Sequence, residues 1–129
     1  MEFTDALKNK RLRGKEGEAE AVLFLENKGF EILERNFGKR KGEIDIIAED
    51  ENKTLVFIEV KTAFYPNYGD PAFLVNKKKQ KTIGKVAEIY LAEKNLRDIP
   101  CRFDVVTVII GKGKKLKITH YENAFMLTY

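Results

Sequence analysis

Hydrophobic and polar positions alternate along this chain with two different periods. From Lys15 to Lys28 the residues Ala19, Ala21, Val22, Phe24 and Leu25 share one arc of a helical wheel, and Gly29 supplies a common stop, which predicts a first helix over Lys15–Lys28. A strand follows at Phe30–Arg35. The turn Gly38-Lys39-Arg40-Lys41-Gly42 leads into a second strand, Glu43–Ala48, and the polar turn Asp50-Glu51-Asn52-Lys53 into a third, Leu55–Lys61, so these two read as a hairpin. Thr62–Val75, with Pro66, Asn67, Gly69, Asp70 and Pro71, reads as a loop. Asn76 can cap a long helix whose Ile83, Val86, Ala87, Tyr90 and Leu91 recur at helical spacing and which ends near Leu96. Phe103–Ile110 is apolar and β-branched enough for a central buried strand, and Gly111-Lys112-Gly113 turns it into a last strand near Leu116–Tyr121. The order is αβββαββ. A helix between the third and fourth strands makes that pair parallel, which predicts an α/β fold with a mixed sheet flanked by helices.

Composition narrows the chemistry. With 129 residues and 43% hydrophobic content the chain suits one domain, residues 15–129, preceded by a basic arm over residues 1–14. No apolar run is long enough to cross a membrane, and the N-terminus lacks the apolar centre of an export signal, so the expected compartment is the cytoplasm. One cysteine, Cys101, and one histidine, His120, exclude an internal disulfide and the common zinc spacings, and both residues are expected to be structural. Any metal must be held by oxygen, which favours magnesium or manganese. The net charge of +4 says little by itself, but lysines and arginines cluster: Lys8 to Lys15, Lys39-Arg40-Lys41, Lys77-Lys78-Lys79 with Lys81, and Lys112 to Lys117. Each run alone reads as a solvated surface; around a site it would bind phosphate.

Three carboxylates resist a purely structural reading. Asp45 interrupts the apolar strand Glu43–Ala48, where an unpaired charge is costly. In the third strand the pleat puts Leu55, Phe57, Glu59 and Lys61 on one face and Val56, Ile58 and Val60 on the other. A hairpin symmetric about Asn52 sets Asp45 opposite Glu59 and Glu43 opposite Lys61, and two carboxylates so close repel unless a cation lies between them. The blander alternative is an ion-pair cluster of Glu43, Asp45 and Lys61 on a solvated face. Glu18 lies within the apolar arc of the first helix, as does Glu26 nearer the helix end. Lys79 and Gln80 extend the core-facing stripe of the second helix toward its start, so both could reach the face that holds Glu59. Asp104, in the strand Phe103–Ile110, either closes a buried hydrogen-bond network or assists a metal, and the first reading is preferred.

Asp45 followed a hairpin later by Glu59-Val60-Lys61 resembles the restriction-endonuclease-like superfamily, whose signature is written PD-(D/E)xK. From about Lys15 onward the chain is similar to a small bacterial family of uncharacterised endonuclease-like proteins with a Gly-x-Glu helix start and GEIDLIA-, FVEVK- and RFDVV-like strands. Here these are Gly17-Glu18, Gly42–Ala48, Phe57–Thr62 and Arg102–Val106. The resemblance implies a restriction-endonuclease-like core related to archaeal Holliday-junction resolvases, in which a glutamate of the first helix joins the aspartate and glutamate around magnesium. The spacing from Glu18 to Gly29 resembles the spacing there, which selects Glu18 over Glu16 and Glu20. Two departures stand out: no proline precedes Asp45, and Ala63 replaces a frequent arginine after Lys-Thr.

The chemistry that follows is phosphodiester hydrolysis, in structured or branched DNA, by a Mg2+- or Mn2+-dependent endonuclease. Asp45, Glu59, the Val60 carbonyl and Glu18 would hold the ion. Lys61 would orient or deprotonate water or stabilise the pentavalent phosphate, and Gln80 or Lys79 would approach the same cavity from the second helix. Lys39, Arg40, Lys41, Lys77, Lys78 and Lys79 are the expected phosphate contacts, indifferent to base sequence. A second reading is a non-catalytic nucleic-acid-binding module on the same fold. A third is a protein-interaction module using Phe64, Tyr65, Tyr68 and Phe73, aromatics more simply explained by packing. DNA versus RNA, endo- versus exonucleolytic action and the oligomeric state, a homodimer included, stay open.

Overall fold

Gly29 ends the first helix in a computed structural model that describes residues 3–38, 42–64, 75–111, 113 and 115–126, with side chains from residue 14 onward. The glycine takes φ +94°, and beyond it the Phe30 amide donates to the Leu25 carbonyl at 3.0 Å, a Schellman closure that also joins two core side chains. The helix, α1, spans Phe3–Asn27 and so begins well before Lys15. Most of the expected basic arm is therefore helical. Its Ala6, Leu7, Lys8, Lys10, Arg11 and Leu12 are strong helix formers without an intervening proline, so propensity extends the helix where no apolar stripe announced it.

The remaining elements are β1 (Glu31–Phe37), β2 (Ile44–Glu49), β3 (Leu55–Phe64), α2 (Lys77–Glu93), β4 (Cys101–Ile110) and β5 (Leu116–Phe125). Several ends move outward from the predicted ones. Thr62–Phe64, expected as loop, continue β3 because they keep pairing with Val108–Ile110 of β4, and β5 runs on to Phe125 because it follows β4 back to Phe103. Helix α2 stops at Glu93, short of the expected end near Leu96, while its start is as predicted: the Asn76 side chain accepts from the Lys79 amide at 2.8 Å. The basic turn Lys39-Arg40-Lys41 and the aromatics Tyr65, Tyr68 and Phe73 lie outside the described residues.

The strands form one sheet in the order β1-β2-β3-β4-β5, with β3 and β4 parallel and the other neighbours antiparallel. Residues Leu55–Glu59 of the central strand are buried throughout, as an apolar strand covered on both faces requires. Ala21 and Leu25 of α1 pack with Ile46, Ala48, Val56, Ile58, Val106 and Val108 on one face. Ile83, Val86, Ala87 and Tyr90 of α2 pack with Ile44, Ile47, Leu55, Phe57 and Val105 on the other.

Asp104 is fully buried on the α1 face and closes a hydrogen-bond network. It accepts from Arg102 Nε at 3.0 Å and from the Asn123 amide at 2.8 Å, and His120 Nε2 lies at 2.7 Å. Arg102 continues to Asp50 at 2.7 Å, and Lys28 Nζ lies 2.8 Å from His120 Nδ1. A lysine ammonium only donates, so His120 takes Lys28 at Nδ1 and turns Nε2 to Asp104. The chain of contacts ties the end of α1, the β2–β3 turn, β4 and β5 together. Burial alone would push the Asp104 carboxyl up; the bonds from His120, Arg102 and Asn123 outweigh it and hold it below its ordinary value.

Candidate functional site at the fork of two strands

The β2–β3 hairpin pairs Ile46 with Ile58, Ile47 with Phe57, Ala48 with Val56 and Glu49 with Leu55, which is the register symmetric about Asn52. Continued by one residue it brings Asp45 across from Glu59. There the strands part. The Val60 amide, left without a strand partner on that side, donates to Asp45 Oδ2 at 2.8 Å. The N–H and C=O of a strand residue point to the same edge, so the Val60 carbonyl also faces the fork. Ile44 packs toward α2 while Ile46 and Ala48 pack toward α1. Asp45 therefore sits where β2 twists from one face to the other, within electrostatic reach of Glu18 on α1 and Lys79 on α2.

Glu59 is only 7% exposed, and its Oε2 is buried without a hydrogen-bond donor. Lys79 Nζ stands 3.7 Å away, an ion pair beyond hydrogen-bonding distance. Burial first, then the Glu59 carboxyl within proton-sharing reach, push the Asp45 carboxyl up to about 8 against the pull of the Val60 amide and Lys79. Glu18 is also raised, by burial and then by the charge of Asp45, although Arg35 and Asn36 hold it down in part. Glu43, just before β2, is raised by lost hydration and by Asp45 and Glu18. This excess of negative charge is what a cation would relieve.

Not every expected residue takes part. Lys61 shares the α2 face with Glu59 and forms no ion pair with Glu43, Asp45 or any other described residue, so the ion-pair alternative has no support in the contacts. Lys79 reaches Glu59, whereas the Gln80 amide donates to the Val75 carbonyl at 3.0 Å and is occupied at the helix start. Lys77 and Lys78 are exposed beside Lys79. Among the described residues no three carboxylates stand close enough to chelate one ion: Glu18 is held by Arg35 of β1, with Arg35 Nη2 at 3.4 Å from Oε1. Arg35 and Asn36 are site residues that periodicity could not reveal. The one local signal is Asn36 itself, a residue tolerant of the left-handed conformation that it adopts at φ +53°.

Gly17 fixes the depth of α1 over the site. A Cβ at Gly17 would run into the Thr62 hydroxyl and come within 2.9 Å of its methyl group. Gly17→Ala should destabilise the protein by about 1–3 kcal/mol through overpacking, although alanine favours helix by up to about 1 kcal/mol. Thermal denaturation measures this, and an equal or higher melting temperature would show that Thr62 yields without cost.

Fold and site together define a mixed α/β protein whose five-stranded sheet, covered by a helix on each face, parts at one fork beside Asp45 and Glu59. The chain belongs to the uncharacterised protein family UPF0102, whose model matches residues 17–108. It is 46% identical over 124 residues to a UPF0102 protein of Geobacter metallireducens, covering 96% of this chain and 99% of that one. It is 44% identical over 129 residues to one from Geotalea uraniireducens, covering both chains completely. Among solved structures, Pyrococcus furiosus SfsA in complex with Ca2+ aligns at 16% identity with a TM-score of 0.35, covering 88% of this chain and 63% of that one. This chain thus spans less than two thirds of SfsA.

Proposed function

We propose that this protein is a metal-dependent nuclease that hydrolyses phosphodiester bonds in structured or branched DNA. One observation carries the reading: a buried glutamate oxygen without a donor faces a second carboxyl across a strand fork. A divalent cation fits that arrangement because it replaces the missing donor and removes the need for a proton at Asp45. Asp45, Glu59 and the Val60 carbonyl would hold Mg2+ or Mn2+, with Glu18 joining from α1. Bound there, the ion would supply a nucleophilic water at neutral pH and offset the charge of the phosphate. Lys61, on the face of Glu59 and without an ion-pair partner among the described residues, would orient that water or stabilise the developing phosphate charge. Lys79 balances Glu59 until a cation takes its place. The GEID and EVKT motifs, akin to those of restriction-endonuclease-like resolvases, favour branched DNA among possible substrates.

Incubation with single-stranded, duplex, flap and four-way DNA in Mg2+ or Mn2+ tests the proposal. We expect metal-dependent cleavage by the wild-type protein and none by Glu59→Ala. Binding without cleavage of any of these would favour the second reading, a nucleic-acid-binding module. Replacing Lys77, Lys78 and Lys79 with glutamine should weaken binding to all sequences alike and lower the salt slope by about one for each phosphate no longer neutralised. An unchanged slope would remove the start of α2 from the interface.

A further inference from the structure

Glu18 does not point freely into the fork. Arg35, 43% exposed, reaches it across a contact of 3.4 Å, and Asn36 adds a side-chain hydrogen bond, so β1 holds the carboxylate. That contact is long for an arginine–carboxylate pair, which closes to about 2.7–2.9 Å when well formed. Lys15, Glu18, Arg35, Asn36 and Glu43 line a cleft of about 590 Å3 at this place. The cleft thus presents two cations, one of them spent on restraining a carboxylate. A phosphate diester can take two parallel hydrogen bonds from a guanidinium, a stronger match than a single long contact.

We propose that Arg35 is a phosphate-responsive latch: in the free protein it keeps Glu18 on β1, and a backbone phosphate entering the cleft draws the guanidinium away and frees Glu18 for the cation held by Asp45 and Glu59. The inference rests on the nuclease reading above and adds that the site is completed only when substrate is present. Arg35 is then a positioning residue as well as a phosphate contact. Substrate and metal become cooperative, because each favours the state in which Glu18 has left Arg35, and the coupling is reciprocal. An idle protein consequently has an incomplete ligand set, which agrees with the absence of a three-carboxylate group among the described residues.

The test is titration with Mn2+, without nucleic acid, of the wild-type protein and of Arg35→Gln, Arg35→Lys, Glu18→Gln and the double variant Arg35→Gln/Glu18→Gln. Arg35→Gln should tighten Mn2+ binding about five- to tenfold, within the usual range of coupling between sites. Arg35→Lys, which keeps the restraining charge, should stay near wild type. Glu18→Gln, a residue that Arg35 holds off the ion in the free protein, should lose far less Mn2+ affinity than Asp45→Asn, and the double variant should match it. Tightening that persists in the Glu18→Gln background would mean that Arg35 acts only through its bulk charge, and the latch would be overturned. So would a loss by Glu18→Gln as large as that by Asp45→Asn, which would place Glu18 on the ion already in the free protein, and so would no effect of Arg35→Gln. In a parallel titration with a DNA duplex of about 30 base pairs in EDTA, Arg35→Gln should bind about threefold more weakly with a salt slope lower by about one; an unchanged affinity would remove phosphate from the proposal. Asp45→Asn separates the two levels: if it binds Mn2+ like wild type, the nuclease reading itself fails, whereas loss of binding there with no effect of Arg35→Gln discards the latch alone.

Discussion

Asp45→Asn should abolish cleavage and yet make the metal-free protein more stable above neutral pH. Burial, with the Glu59 carboxyl beside it, carries Asp45 from its ordinary 3.8 up to about 8. Between about pH 4 and about pH 8 the folded protein therefore keeps a proton that the unfolded chain has released, so stability falls as the pH rises through that window. Every tenfold difference in proton affinity between the two states corresponds to about 1.4 kcal/mol. Discounted for the shared proton, the loss by pH 8 is on the order of a few kcal/mol. Asparagine cannot ionise, so the variant should lose most of this slope and overtake wild type at alkaline pH. A divalent cation should restore wild type and leave the variant unchanged. Cleavage should drop by about a thousandfold or more, several kcal/mol of transition-state stabilisation, while DNA affinity stays equal or rises because a negative charge facing phosphate is gone. Urea titrations from about pH 5 to about pH 9 and single-turnover cleavage give both numbers. A wild-type profile that is level across that range, or a cleaving Asp45→Asn, would contradict the assignment.

Asp104→Ala should cause the largest loss of stability away from the fork. It leaves Arg102 and His120 facing an empty space at the heart of the sheet, and breaking a buried charged network by removing one partner costs about 3–5 kcal/mol. The carboxyl lies below its ordinary value, so its contribution is present above about pH 4 and fades as acid protonates it in the folded state. Chemical denaturation at neutral pH should show the loss, and it should shrink at low pH. A change under about 1 kcal/mol would mean that the network adds little beyond packing. The consequence for function is indirect: Lys28 and His120 hold the C-terminal end of α1, the helix that carries Glu18.

The parts of this structure that periodicity could predict are those where one residue decides the outcome. The turn Asp50–Lys53 fixes the hairpin register, because the Asp50 side chain accepts from the Asn52 and Thr54 amides and closes the loop about Asn52. That register alone sets Asp45 against Glu59. Gly29 and Asn76 likewise mark helix ends through their own backbone chemistry. What alternation could not foresee are the places where strict period two fails. Ile44 turns toward α2 where β2 and β3 part, Asn36 takes a left-handed conformation on β1, and beside it Arg35 meets Glu18. Gln80 lies on the right stripe but bonds to Val75, since a side chain so near a helix start has backbone groups within easier reach than the sheet. The Asp104 network joins residues far apart in sequence, and only the preference for pairing a buried carboxylate hinted at it.

The central claim is that Asp45 and Glu59 share a divalent cation, and anomalous diffraction from crystals soaked in Mn2+ tests it most directly. The account predicts one strong peak in the fork, about 2.1–2.2 Å from a carboxylate oxygen of Asp45, from Glu59 Oε2 and from the Val60 carbonyl, distances usual for a hard cation of this size. It also predicts that the peak vanishes in Glu59→Gln crystals soaked in the same way. A fork without a peak at millimolar Mn2+, or a peak that persists without the Glu59 carboxylate, would contradict it.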